Sequence, residues 1–172
     1  MFITLEEKNR NQNITENFTV GEILDVSKPN QGRTSVDMDY NVFLVAQYIR
    51  DNVGPLIPSS AFRNLYYNRT IPSKDTSQHV KGKALDLHNP VVANWLHAQI
   101  KNNSNHYKQL RNLGLGGVGL YDWGVHIDTR TSSRLGFWDF RKKKAETVTF
   151  TSILLLIFIS VGYRLFKRNA KK

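Results

Sequence analysis

The chain is arranged around one stretch, Ser77-Gln78-His79-Val80-Lys81-Gly82-Lys83-Ala84-Leu85-Asp86. It places a His and an Asp seven residues apart, with Gly82 between them. Gly82 allows the backbone to reverse without a Cβ clash, and residues 83–88 then alternate in polarity as a strand does. The reversal would present Asp86 toward His79. Because imidazole and carboxylate are two of the usual ligands of Zn²⁺, the stretch predicts part of a metal site.

A second short run, Gly124-Val125-His126-Ile127-Asp128, also alternates in polarity. The alternation places His126 and Asp128 on one face of a strand and the two branched apolar residues on the other. A catalytic zinc site needs three protein ligands and keeps a further position open. The sequence therefore offers His79, Asp86 and His126 as a ligand set.

These two runs belong to a longer series of motifs. Residues 60–63 before them read Ser-Ala-Phe-Arg, residues 116–121 read Gly-Gly-Val-Gly-Leu-Tyr, and residues 126–130 read His-Ile-Asp-Thr-Arg. In this order, over about residues 18–140, the chain resembles the zinc D-alanyl-D-alanine carboxypeptidases and related phage peptidoglycan endopeptidases, which share the hedgehog-type fold. The resemblance implies an α+β fold with a small antiparallel sheet and flanking helices.

The resemblance also implies roles for single residues. His79, Asp86 and His126 would bind Zn²⁺, and Arg63 would hold a carboxylate or carbonyl of the substrate. Ser77 stands where the family has a substrate-contacting Ser.

The catalytic acid of the family departs from its usual position. Many members carry Glu or Asp three residues before the last His, where this chain has Trp123. We assign the general base to Asp122, one residue further upstream, with Asp128 as the second choice. Gly124 could let the strand bulge and correct the offset. Asp128 could instead pair with Arg130 as a structural contact.

Composition limits the possible partners and metal ligands. The 172 residues include no Cys, which excludes disulfides and thiolate metal sites. A net charge of +10 would ordinarily suggest nucleic acid. However, residues 141–172 hold nine of the 24 Lys and Arg and only one of the 14 acids, so residues 1–140 are nearly neutral. We therefore expect no nucleic-acid partner.

The charge pattern also divides the chain. Residues 1–17 are polar and predict an arm or a poorly ordered start. Residues 18–140 form the peptidase-like domain, and residues 141–146 form a basic linker. Residues 147–163 carry no charge, and their apolar run predicts a transmembrane helix at the short end of the usual length. A buried core helix is the alternative. Residues 164–172 form a basic tail, and the similar charge on both flanks leaves the side of the membrane undetermined.

Several local patterns predict helices and strands. The capping-box spacing of Thr19 and Glu22 predicts a short helix, and an apolar stripe predicts a longer one over residues 38–52. A turn-rich loop is expected over residues 27–37. Asn89 and Pro90 predict a helix that runs to about residue 102. Residues 56–60 predict an edge strand, and the Gly-rich residues 113–120 predict close strand packing and no nucleotide-binding loop.

The predicted ligand set and the family resemblance together imply a zinc peptidase, and the resemblance implies peptide bonds of peptidoglycan stem peptides as its substrate. A membrane-anchored domain of this kind fits a phage or prophage lysis enzyme, in a virion or in an infected bacterial cell. The lipid bilayer would be a second partner through the C-terminal helix. One alternative is a non-catalytic metal-binding module on the same fold, and another is a membrane-anchored structural or adaptor protein.

Overall fold

The structure is a computed structural model that describes residues 1–27 and 34–142. It contains a compact unit, Met1–Arg141, and a second unit, Lys142–Lys172, of which only Lys142 is described. The helices are α1 (Val20–Val26), α2 (Tyr40–Val53), α3 (Leu65–Asn68), α4 (Pro90–Lys101) and α5 (Asn105–Asn112). The strands are β1 (Phe2–Glu6), β2 (Asn13–Thr15), β3 (Phe18–Thr19), β4 (Ser35–Asp39), β5 (Ile57–Ser60), β6 (Ala84–His88), β7 (Gly117–Tyr121), β8 (Gly124–Asp128) and β9 (Gly136–Asp139).

The main sheet has five strands in the order β5-β6-β8-β7-β9. The first four pair antiparallel, whereas β9 pairs parallel to β7. The expected α+β class is confirmed, but the sheet is mixed because the chain crosses over after β8 and returns along the far side of β7. β5 lies at the edge, as its Pro58 predicted.

The two faces of the sheet differ in chemistry because successive side chains point to opposite sides. One face carries apolar side chains that are fully buried, and these pack with α2 and α4 into the core. They include Leu85, Leu87, Val125 and Ile127. The opposite face carries Asp86 and His126, which are register partners on β6 and β8. The core therefore fixes the backbone that positions both polar side chains.

The N-terminal segment is ordered, contrary to the expectation of a poorly ordered arm over residues 1–17. β1 pairs antiparallel with β4, with Phe2 opposite Asp39, and a 3₁₀ helix, Glu7–Asn9, and the hairpin β2–β3 follow. Leu5 and Met38 bury their side chains in the core. The end of the expected loop over residues 27–37 is likewise part of β4, because β1 supplies a partner from the other end of the sequence.

Most predicted helices are present. Thr19 and Glu22 form the capping box that begins α1. The longer helix α2 begins two residues later than predicted, at Tyr40, because Asp39 accepts a hydrogen bond from the backbone of Asn41 as its N-cap. Asn89 caps α4 in the same way. Helix α5 was not predicted, since Leu110 is its one buried residue.

The predicted transmembrane helix over residues 147–163 lies outside the described residues. Among the helices of residues 1–27 and 34–142, none has the length and apolar character required to cross a bilayer.

Candidate metal centre

Three side chains converge on the polar face of the main sheet. The Nε2 atom of His79 lies 3.1 Å from Oδ1 of Asp86 and 3.2 Å from Nδ1 of His126, and the latter two atoms are 2.8 Å apart. Two atoms bound at about 2.0 Å to a tetrahedral ion lie about 3.3 Å apart. The spacing of the three atoms therefore suits one small cation.

The backbone explains this convergence. Asp86 and His126 face each other across the β6–β8 pair, while His79 lies in the tight turn over residues 78–82. Gly82 in that turn has φ of +64°, and an added Cβ would overlap the carbonyl oxygen of Asp37. Both conditions favour glycine there. The reversal inferred from the sequence brings His79 over Asp86.

The outer nitrogen of each His is bound to an acceptor. Nδ1 of His79 lies 2.6 Å from the carbonyl oxygen of Ala61, and Nε2 of His126 lies 3.1 Å from Oδ2 of Asp128. A carbonyl oxygen and an ionised carboxylate can only accept, so both nitrogens donate. In the neutral form of each ring, Nε2 of His79 and Nδ1 of His126 are then unprotonated and present lone pairs to Asp86.

Three acceptor atoms would then meet at one point, an arrangement that a bound cation, or a proton on one of the rings, stabilises. The donor set of two imidazoles and one carboxylate fits Zn²⁺. Burial would raise the pKa of Asp86, but hydrogen bonds with His126 and His79 hold it well below its usual range. Burial would lower the pKa of His126, but Asp128 and Asp86 outweigh it and raise that pKa. The shifts of Asp86 and His126 both favour a positive charge beside the Asp86 carboxylate, whereas burial lowers the pKa of His79.

Asp128 lies behind His126 and is completely buried. Its carboxylate accepts hydrogen bonds from Nε and Nη2 of Arg130, at distances between 2.6 and 3.0 Å. Burial would raise the pKa of Asp128, but His126 and Arg130 hold it well below its usual range. Asp128 therefore orients the His126 ring, as carboxylates behind metal-binding His commonly do. The sequence offered two roles for Asp128, and its pairing with Arg130 agrees with the role of a structural contact.

Glycines on β7 make room for this arrangement. An added Cβ on Gly117 would overlap the Asp128 carboxylate, and one on Gly119 would overlap the Trp138 indole. The Gly-rich residues 113–120 do pack closely against their neighbours, as predicted. The neighbours at these two positions are the side chains of Asp128 and Trp138.

Arg63 contacts a member of the same cluster. Its Nη2 donates to Oδ2 of Asp86 over 2.7 Å, and its Nε donates to Oγ of Ser60 over 2.9 Å. The pair is mostly buried, which makes it stronger than a surface ion pair. Arg63 therefore orients Asp86, and it also lines an open cavity of about 520 Å³ next to it.

The proposed general base lies in the turn between β7 and β8. Asp122 is exposed there, two residues before the start of β8 at Gly124, and His126 lies a further two residues along the strand. Trp123 stacks on Tyr121, with ring centroids 4.8 Å apart, and faces His88. Ser77 lines a second cavity, of about 620 Å³, on the His126 side.

Two groups at the site were missed in the sequence. The carbonyl of Ala61 orients His79, and the Trp138 ring lies 5.3 Å from the His126 ring. The contact of Trp138 depends on the parallel pairing of β9, for which local sequence gave no signal.

Comparison with known proteins agrees with this geometry. The family model described as Peptidase M15 matches residues 16–128, which include all three converging residues. No curated protein matches the chain. No solved structure matches it either.

Proposed function

Because the chain belongs to the peptidase M15 family, we propose that it is a zinc-dependent peptidase that hydrolyses peptide bonds of peptidoglycan stem peptides. One observation carries this proposal: His79, Asp86 and His126 present three acceptor atoms to one point, all within 4.8 Å of one another. Membership of the family implies a metal-dependent hydrolase. The choice of zinc and of peptidoglycan is our inference from the ligand types and from the motif resemblance.

Each residue of the site would have a separate role in hydrolysis. His79, Asp86 and His126 hold the ion, which when bound supplies a Lewis acid that polarises a carbonyl and activates water near neutral pH. Asp128 and the Ala61 carbonyl keep the two imidazoles in the tautomers that leave the inner nitrogens free. Arg63 orients Asp86 and offers charge-assisted hydrogen bonds to a substrate oxygen.

Proton transfer requires a further group, because the carboxylates of Asp86 and Asp128 are already engaged. We assign it to Asp122, whose side chain would take a proton from water and return it to the leaving amine. Ser77 would contact the substrate from the opposite side.

The test is digestion of purified peptidoglycan with the full chain, followed by mass spectrometry of the released fragments. It is run with and without a chelator, and beside His126→Ala and the control His97→Ala, a His on α4 outside the centre. We expect new stem-peptide fragments that the chelator and His126→Ala abolish and His97→Ala leaves unchanged. The fragment masses identify the bond, and hence a carboxypeptidase or an endopeptidase. A folded, zinc-loaded chain that releases nothing would favour the non-catalytic module.

We further propose that residues 147–163 anchor the chain in a lipid bilayer, as in a phage or prophage lysis enzyme that acts once the membrane is damaged. The uncharged run between basic flanks supports this. Flotation of the full chain with lipid vesicles, beside Leu155→Arg/Ile157→Arg, tests it. Each Arg at the centre of a span costs about 3 kcal/mol, so the double variant should not float. Equal flotation of both proteins would contradict the anchor.

A further inference from the structure

The metal centre lies between two cavities on the polar face of the sheet. Asp86 and Arg63 line the cavity of about 520 Å³, whereas His126 and Ser77 line the cavity of about 620 Å³. A peptide that crosses the centre would therefore place residues from the two sides of its scissile bond in different cavities. The chemistry of the second cavity indicates which residue it accepts.

The second cavity is cationic. Of the described residues that line it, Lys74, Lys81 and Arg130 are basic, and none is acidic. The charge of Arg130 is matched by Asp128. The side chains of Lys74 and Lys81 are exposed, and neither forms an ion pair within the described part of the chain. Asp75, the neighbour of Lys74, pairs with Arg69 over 2.7 Å. Two positive charges are thus available at the mouth of the cavity.

The rest of the lining suits a peptide. Trp138 and Phe140 provide an aromatic wall, and Nε1 of Trp138 donates to the hydroxyl of Tyr121 over 3.1 Å, which fixes the indole. Ser77 and Gln78 add polar groups that can contact a main chain. An aromatic wall beside two ammonium groups fits a short apolar segment that ends in an anion.

We propose that Lys74 and Lys81 bind a carboxylate of the substrate on the side of the scissile bond away from Arg63. This inference rests on the proposed function, since it names the substrate class of the same site. The acceptable substrates are acidic peptides, including those in which a glutamate is linked through its side chain and leaves its α-carboxylate free. A carboxamide at that position keeps the shape and loses the charge.

The test compares two synthetic stem peptides that differ only in carboxylate or carboxamide at the glutamate α-carbon. Binding to the metal-free full chain is measured by calorimetry, and kcat/KM is measured on the zinc-loaded full chain. The variant is Lys74→Gln/Lys81→Gln, and the matched control is Lys101→Gln/Lys108→Gln, two exposed lysines on α4 and α5.

We expect the acid to bind about tenfold more tightly than the amide, because each of the two exposed charge pairs contributes modestly to the binding free energy. The ratio of the affinities for acid and amide should fall to nearly one in the cavity variant and stay at its original value in the control. In the unmodified chain it should decline with added salt. Equal binding of both peptides by the unmodified chain, or an unchanged preference in the cavity variant, overturns the inference. A retained binding preference without any cleavage would instead overturn the proposed function alone.

Discussion

His126 and Asp128 stand two residues apart on β8, and Nε2 of the histidine donates to Oδ2 of the aspartate over 3.1 Å. The same carboxylate accepts from Nη2 of Arg130 over 2.6 Å and is completely buried. The acid therefore holds the ring in the tautomer whose inner nitrogen is free for a metal. The Asp128 carboxylate itself has no access to water.

Asp128→Asn should weaken zinc affinity by about 10- to 100-fold, the usual effect of losing a group that orients a ligand. The ligand atoms themselves remain. Competition with a chromophoric chelator measures the change. Asp139→Asn is the matched control, because Asp139 also pairs with an Arg two residues later, over 2.6 Å, but touches none of the converging residues. If the two variants bound zinc with equal affinity, Asp128 would have no orienting role.

Gly117→Ala should lower both zinc affinity and stability. The added methyl group would overlap the Asp128 carboxylate, and overpacking of this kind costs about 1–3 kcal/mol. Chemical denaturation measures the stability and chelator competition the affinity. Gly21→Ala on α1 is the control, since its Cβ would overlap Arg10, which contacts none of the converging residues, so its zinc affinity should not change. Unaltered affinity in Gly117→Ala would show that Asp128 tolerates displacement.

Asp122→Asn should lower kcat by about 100-fold or more if this residue transfers the proton. Zinc affinity should not change, because Asp122 is not among the ligand atoms. The comparison is with Glu16→Gln, an acid that is also exposed, in the turn between β2 and β3. Should Asp122→Asn keep full activity, another group must transfer the proton, and this assignment would be wrong.

Leu87→Ala should reduce the free energy of unfolding by about 2–5 kcal/mol. Leu87 is fully buried on the core face of β6, one residue after Asp86. Ile57→Ala, on the edge strand and 65 % exposed, should change stability by less than about 0.5 kcal/mol. Urea denaturation of both variants tests the assignment of the two faces. Similar losses in both would contradict it.

Only part of the ligand cluster could be predicted from local information. His79 and Asp86 are joined by one reversal at Gly82, whereas His126 meets them through the pairing of β6 with β8, which the order of the family motifs indicated. The capping box at Thr19 is local in the same sense as this reversal. Such features depend on a few neighbouring residues and the allowed backbone angles.

The remaining features depend on pairing between distant residues. Phe2 of β1 faces Asp39 of β4, and neither strand shows a pattern that specifies the other. The parallel return of β9 along β7, which places Trp138 beside His126, is also non-local. The role of Asp128 was open for a different reason: alternation places it on the face of His126 but does not show which ring nitrogen it meets.

The contacts that orient the two histidines differ in whether a substitution can remove them. The group that orients His79 is the main-chain oxygen of Ala61, which every amino acid possesses, so no exchange of side chain at position 61 deletes that contact. His126 depends instead on a carboxylate that a single codon change removes. Substitutions on β8 can therefore change how His126 is held, while the main-chain contact that orients His79 stays constant.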